Sequence, residues 1–146
     1  MKLKLILLID DNDVDNYINK HILSQRNIAD TIITMTSAED ALEHLDSIKT
    51  KPDEFPDLIF LDIQMPAMNG FVFLEHYHNL PEELRKKCTV IMLTSSEDLG
   101  DVEKAKQNAY VEKYLNKPLS EEMISDIIAH KKMIITDILP EPPEVL

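Results

Sequence analysis

The chain has 146 residues, 44% of them hydrophobic and 29% charged, the composition of one globular domain with an ordinary core rather than of a disordered chain. Its 27 acids and 15 bases give a net charge of −12, which repels phosphate backbones and anionic lipid and argues against nucleic-acid and membrane partners. A single cysteine, Cys88, excludes an internal disulfide and any multi-cysteine metal site, and two glycines, Gly70 and Gly100, are too few to write either common glycine-rich nucleotide loop.

The first apolar run, Leu5–Ile9, is far short of the roughly 20 residues of a membrane span. Asp10 and Asp11 end it before any small-residue cleavage site. It reads as a buried strand and not a signal peptide, and a cytoplasmic location follows as the expectation. A helical stripe comes next, with Val14, Tyr17, Ile18 and Ile22 on its apolar side. A weaker strand, Ile32–Met35, precedes a second stripe of Ala38, Ala41, Leu42 and Leu45. Ser37, with Asp40 three residues on, opens that helix as a capping box would. Ser47–Pro56 is polar, holds two prolines and reads as a surface insertion.

Leu58–Leu61 is the third strand, and Phe71 and Leu74 begin the helix after Gly70. The charged stretch Asn79–Lys87 reads as a second insertion with room for a short helix. Val90–Leu93 is the fourth strand, followed by a small-residue stripe of Val102, Ala105 and Ala109. Val111–Leu115 is the fifth. Met123, Ile124, Ile127 and Ile128 form the last stripe, with Ser120 as its N-cap. From Thr136 the chain reads TDILPEPPEVL, whose three prolines argue for an extended acidic tail over 136–146, after a domain over 1–135.

Unbroken apolar runs indicate strands buried on both faces, and strict alternation with helices indicates parallel strands joined by right-handed crossovers. The expected fold is a doubly wound α/β sandwich, (βα)5, with a five-stranded parallel sheet. In such sheets ligands bind beyond the carboxyl ends of the strands. There the sequence delivers Asp10 and Asp11, Asp62, Thr94 with Ser95 and Ser96, and Asn116-Lys117-Pro118, while the second strand delivers no charge. Three clustered carboxylates raise one another's pKa unless a hard cation such as Mg²⁺ relieves the conflict. A carboxylate can also attack phosphorus and form an acyl phosphate, with a lysine and a hydroxyl stabilising the transferring group. Asp62, Lys117 and Thr94 are the candidates for those three roles.

The segments LLIDD at 7–11, LIFLDIQMPAMNG at 58–70, IMLTSS at 91–96 and YLNKP at 114–118 resemble a response-regulator receiver domain, the phosphoacceptor of two-component signalling. The resemblance runs over about residues 3 to 133. It implies the flavodoxin-like strand order 2-1-3-4-5. It further implies Asp62 as phosphoacceptor and an Mg²⁺ site made by Asp10, Asp11, Asp62 and the backbone carbonyl of Gln64. Thr94 and Lys117 would bind phosphoryl oxygens, Tyr114 would switch with Thr94, and Pro118 would follow a cis peptide bond.

The implied partners are a histidine kinase or histidine phosphotransfer protein upstream, and a downstream protein target or self-association through the surface over 97–133. Gln64 and Ser96 flank the expected site, where an effect of their side chains on phosphoryl lifetime is one reading and a plain flanking role the other. Asp11 and Asp62 are 51 residues apart, a long spacing for the family that Ser47–Pro56 is expected to absorb, and a stand-alone receiver without an effector domain is the expectation. Two other readings use the same residues. One is a pseudo-receiver that binds partners without phosphorylation. The other is a haloacid-dehalogenase-like phosphatase, which needs a second acid two residues after the nucleophile, where this chain has the amide Gln64.

Overall fold

The computed structural model describes residues 2–95 and 98–138, with side chains described as far as His130. Ser96, Glu97 and residues 139–146, which include most of the expected tail, lie outside the described residues.

Five strands form one parallel sheet in the order β2-β1-β3-β4-β5. They are β1 (Leu3–Ile9), β2 (Ala29–Met35), β3 (Leu58–Leu61), β4 (Thr89–Thr94) and β5 (Val111–Asn116). Among the described residues six α-helices connect or flank them: α1 (Asp13–Arg26), α2 (Ala38–Ser47), α3 (Gly70–Tyr77), α4 (Glu82–Lys87), α5 (Leu99–Gln107) and α6 (Glu121–Ile138). Ser47–Pro56 carries a short 3-10 turn at Pro52–Glu54, and α4 is the short helix of the second insertion. The flavodoxin-like fold expected from the sequence is the fold observed.

The sheet is buried on both faces because its central strands have no polar face to show. Leu7, Ile9, Ile59, Leu61, Val90 and Met92 pack with α2 and α3 through Ala41, Leu45, Phe73 and Leu74. The alternate residues Ile6, Leu8, Leu58, Phe60, Ile91 and Leu93 pack with α1 and α6 through Leu23, Ile124 and Ile127. Period-two alternation thus divides one apolar run between two cores. Side-chain caps set the helix starts. Ser37 Oγ accepts from Asp40 N–H and Ser120 Oγ from Met123 N–H, as their positions suggested. Asn12 and Asp98 cap α1 and α5.

Three local expectations are corrected. The Val14–Tyr17–Ile18 stripe of α1 faces outward, with Val14 64% and Tyr17 73% exposed, and the buried positions are Asn16, Asn19 and Leu23. Polar anchors set this rotation: Asn16 Nδ2 donates to the Asp10 carbonyl at 2.8 Å, and Asn19 Oδ1 accepts from Leu119 N–H at 3.2 Å. Helix α5 ends at Gln107, so Ala109 lies outside it and is exposed. Helix α6 continues through Ile138, past the boundary expected at 135, because the first proline that cannot extend it is Pro140.

Candidate functional site

The carboxyl ends of β1, β3, β4 and β5 meet at one edge of the sheet. Backbone hydrogen bonds fix each approach: Asp10 N–H donates to the Met35 carbonyl, Asp62 N–H to the Ile9 carbonyl, and Lys117 N–H to the Thr94 carbonyl. The polar side chains therefore leave neighbouring strands at nearly one level. Carboxylate oxygens of Asp10, Asp11 and Asp62 lie within 4.8 Å of one another. Asp10 and Asp62 are buried and Asp11 is exposed, so the cluster opens to solvent on the Asp11 side.

Each buried carboxylate has a local partner. Asp10 Oδ1 accepts from Asn12 N–H at 2.9 Å, and Asp62 Oδ1 accepts from Ile63 N–H at 2.8 Å. Lys117 reaches in from the loop after β5, where the Lys117–Pro118 bond is cis. Its Nζ donates to Asp10 Oδ2 at 2.6 Å, to Asp15 Oδ2 at 2.9 Å and to Asp62 Oδ2 at 3.4 Å. An ammonium has three donors, and here each meets a carboxylate. Burial alone would lower the Lys117 pKa. The hydrogen bonds to Asp10 and Asp15, with the charges of Asp62 and Asp10, outweigh it and hold the ammonium above its ordinary value. Burial raises the Asp10 carboxyl above the ordinary value, the hydrogen bonds from Lys117 and Asn12 oppose the rise, and the charge on Asp62 adds to it.

Thr94 is fully buried at the end of β4. Its register partner is Asn116, and that of Met92 is Tyr114, so Thr94 and Tyr114 share one face of the sheet two residues apart. Tyr114 is half-buried and packs on the core between the sheet and α2 and α3. Gln64 is exposed in the loop after β3, whose return is closed by Gly70 N–H donating to the Ile63 carbonyl at 2.9 Å. A cleft of about 250 Å³ opens beside Lys117, lined by Asp15, Ile18, Asn19, Ser95, Lys117 and Pro118.

Of the site residues named from the sequence, Asp10, Asp11, Asp62 and Lys117 converge, while Thr94 ends the neighbouring strand β4 and Tyr114 lies two register positions back on the same face. The contact that sequence reading did not single out is Asp15. An acid in the first turn of a helix is normally a solvated complement to the helix dipole, and no local signal marks its contact with a lysine 102 residues away.

An all-oxygen, mostly anionic set with one open side fits a hard divalent cation such as Mg²⁺. The donors are hard carboxylates without sulfur or imidazole, and the charge of Asp62 adds to the burial that lifts the Asp10 pKa. A parallel five-stranded sheet with three acids, a buried threonine and a lysine at its carboxyl edge defines the receiver class of two-component signalling proteins. The chain matches the model of the response regulator receiver domain over residues 6–129. It belongs to that family.

Among similar proteins, the sensor histidine kinase CheAY of Helicobacter pylori is 29% identical over 124 residues, which cover 85% of this chain and 14% of that protein. The Regulator of RpoS of Escherichia coli is 28% identical over 94% of this chain and 35% of its own. Protein PilG of Pseudomonas aeruginosa is 32% identical over 72% of this chain and 78% of its own. The chain thus spans well under half the length of the first two relatives. A two-component response regulator from Cytophaga hutchinsonii superposes with a TM-score of 0.82 at 28% identity, covering 89% of this chain and 97% of that one. A response regulator receiver protein from Dyadobacter fermentans does so with a TM-score of 0.76 at 30% identity, covering 87% and 96%. Among the described residues no helix is long and apolar enough to cross a membrane.

Proposed function

We propose that this receiver accepts a phosphoryl group on Asp62 from a phosphohistidine of a histidine kinase or phosphotransfer protein, in an Mg²⁺-dependent reaction in the cytoplasm. The observation that carries the reading is the convergence of Lys117 Nζ and the Asp10–Asp11–Asp62 cluster on the buried Asp62 carboxylate. A carboxylate oxygen of Asp62 attacks phosphorus. The phosphorus–nitrogen bond of the donor breaks, its electron pair returns to the imidazole, and an acyl phosphate remains on Asp62. Asp10, Asp11, Asp62 and the backbone carbonyl of Gln64 would hold the Mg²⁺, which supplies positive charge against the phosphoryl oxygens when bound. Lys117 pairs with one phosphoryl oxygen and the Thr94 hydroxyl donates to another.

The donor docks over the outward stripe of α1. Val14, Tyr17 and Ile18 are exposed there, and Ile18 also lines the cleft beside Lys117. An exposed apolar patch beside a reactive site suits a protein donor. The output is a protein contact or self-association on α5, β5 and α6. At a net charge of −12 a DNA duplex is an unfavourable target.

The test is incubation of the chain with Mg²⁺ and acetyl phosphate, followed by intact mass. One base-labile phosphoryl adduct is expected, lost in Asp62→Asn and in excess chelator. Undiminished labelling of Asp62→Asn overturns the phosphoacceptor assignment. An unlabelled wild-type chain points instead to the pseudo-receiver.

A further inference from the structure

Asp15 is held in place by its helix. Asn12 Oδ1 accepts from Val14 N–H and Asp15 N–H, which fixes the first turn of α1. Asn16, the next residue, donates its amide to the Asp10 carbonyl and, at 3.4 Å, to that of Met35. Those bonds fix the helix rotation, so the Asp15 carboxylate sits at a set position on the outer wall of the site. It is 34% exposed, whereas the Lys117 side chain it contacts is 9% exposed.

The charge geometry makes this contact consequential. Lys117 lies 2.9 Å from Asp15 and 3.4 Å from Asp62, the group it must serve. Asp15, together with Asp10 at 2.6 Å, therefore competes with Asp62 for the ammonium. Asp15 is not one of the three carboxylates of the cluster, so a cation held by those three leaves the Asp15 charge beside Lys117. An incoming phosphoryl group is itself multiply anionic. It meets a lysine already engaged by Asp10 and Asp15, and a fourth carboxylate, that of Asp15, on the wall of the cleft.

We infer that Asp15 is a positioning residue that acts through Lys117, competing with phosphoryl oxygens for the ammonium and so restraining phosphorylation of Asp62. The inference rests on the phosphoacceptor reading and extends it to regulation of the same site. A plain first-turn acid makes a contrasting claim: its only effect would be through net charge and the helix dipole, and any acid of that turn would serve equally. Asp13 supplies the comparison. It lies in the same first turn, is exposed, and is not among the three carboxylates that Lys117 pairs with.

The experiment is an equilibrium titration with beryllofluoride in excess Mg²⁺, followed by backbone amide shifts, for wild type, Asp15→Asn, Asp15→Glu and Asp13→Asn. The rate of labelling by acetyl phosphate is measured alongside. Asp15→Asn is expected to bind beryllofluoride about three- to tenfold more tightly, the scale of one partly screened charge contact, and to label faster by a similar factor. Asp15→Glu should stay within about twofold of wild type because it keeps the partner, and Asp13→Asn should do the same. Unchanged or weaker binding by Asp15→Asn overturns the inference, as does an equal gain in Asp13→Asn. A wild-type chain that neither binds beryllofluoride nor takes a phosphoryl group on Asp62 overturns the phosphoacceptor reading, and this inference with it.

Discussion

A Cβ placed on Gly70 would lie 2.5 Å from the backbone carbonyl oxygen of Asp62 and 3.1 Å from the α-carbon of Ile63. The start of α3 therefore packs directly against the peptide that carries the central carboxylate. The opposing atoms are backbone and cannot rotate away. The same peptide supplies the Ile63 N–H that Asp62 Oδ1 accepts, so displacing it also turns the carboxylate. Gly70→Ala is expected to cost about 1–3 kcal/mol of stability, the range for overpacking, and to slow labelling of Asp62. Urea unfolding and the acetyl phosphate rate check both; a variant with wild-type stability and rate contradicts the account.

Ala67, three residues earlier, has φ 66°. A left-handed conformation costs an L side chain roughly 1–2 kcal/mol relative to the right-handed well. Ala67→Gly removes that cost but adds about 0.4–1 kcal/mol of unfolded-state entropy. The net expectation is a gain of about 0.5–1 kcal/mol, seen as a higher urea midpoint with an unchanged slope. A lower midpoint would show that the loop gains nothing from the extra freedom.

The central strands were legible because β1, β3 and β4 are unbroken apolar runs with two cores to fill. Strand β2 was read as Ile32–Met35 and begins at Ala29. It is an edge strand, and its first residues include exposed Asp30 and Thr31, which dilute the pattern. The site was legible for a different reason: Asp10, Asp11, Asp62, Thr94 and Lys117 each directly end or follow a strand, so the topology brings them together whatever the details. The rotation of α1 was not legible. Its apolar stripe suggested an inward face, but the hydrogen bonds of Asn16 and Asn19 to the loops govern the orientation of its first turns. Asp15 escaped notice because its partner is supplied by the far end of the chain.

Removing charge from the cluster should change stability in a direction set by pH. Burial raises the Asp10 pKa above its ordinary value of 3.8 in the folded chain. A carboxyl with a raised folded pKa binds more protons folded than unfolded, so its ionised form costs stability. That cost is absent below pH 3.8, grows as pH rises toward the shifted value, and is full above it. Asp10→Asn should therefore raise the Tm of the Mg²⁺-free protein at neutral pH, and the difference should close as pH falls toward 4. Millimolar Mg²⁺ should stabilise the wild type more than the variant, because a ligand that binds only the folded state adds to its stability. A Tm for Asp10→Asn below that of wild type at neutral pH without Mg²⁺ would contradict the direction.

Thr94 and Tyr114 sit on one face of the sheet, two register positions apart across β4 and β5. Thr94 is fully buried and Tyr114 is half-buried against the core. A phosphoryl group on Asp62, as proposed, would place new acceptor oxygens beyond β3, whose neighbour in the sheet is β4. A charge-assisted hydrogen bond is roughly twice as strong as a neutral one, so the Thr94 hydroxyl should turn toward them and open space on its own face. The Tyr114 ring is the neighbouring group able to fill that space by rotating inward. Its withdrawal should change the exterior between α5 and β5, and the proposed switch is then a two-position packing change driven by one charge event. Thr94→Ala removes the hydroxyl and leaves the Asp62 carboxylate in place. It should still be labelled by acetyl phosphate, about ten- to a hundredfold more slowly than wild type for the loss of one hydrogen bond to a charged group. The amide shifts of α5 and β5 on adding beryllofluoride should fall to a small part of the wild-type response. Hydrogen exchange at Tyr114 and along α5 measures the same coupling independently. Equal responses in wild type and Thr94→Ala would assign the coupling to another residue.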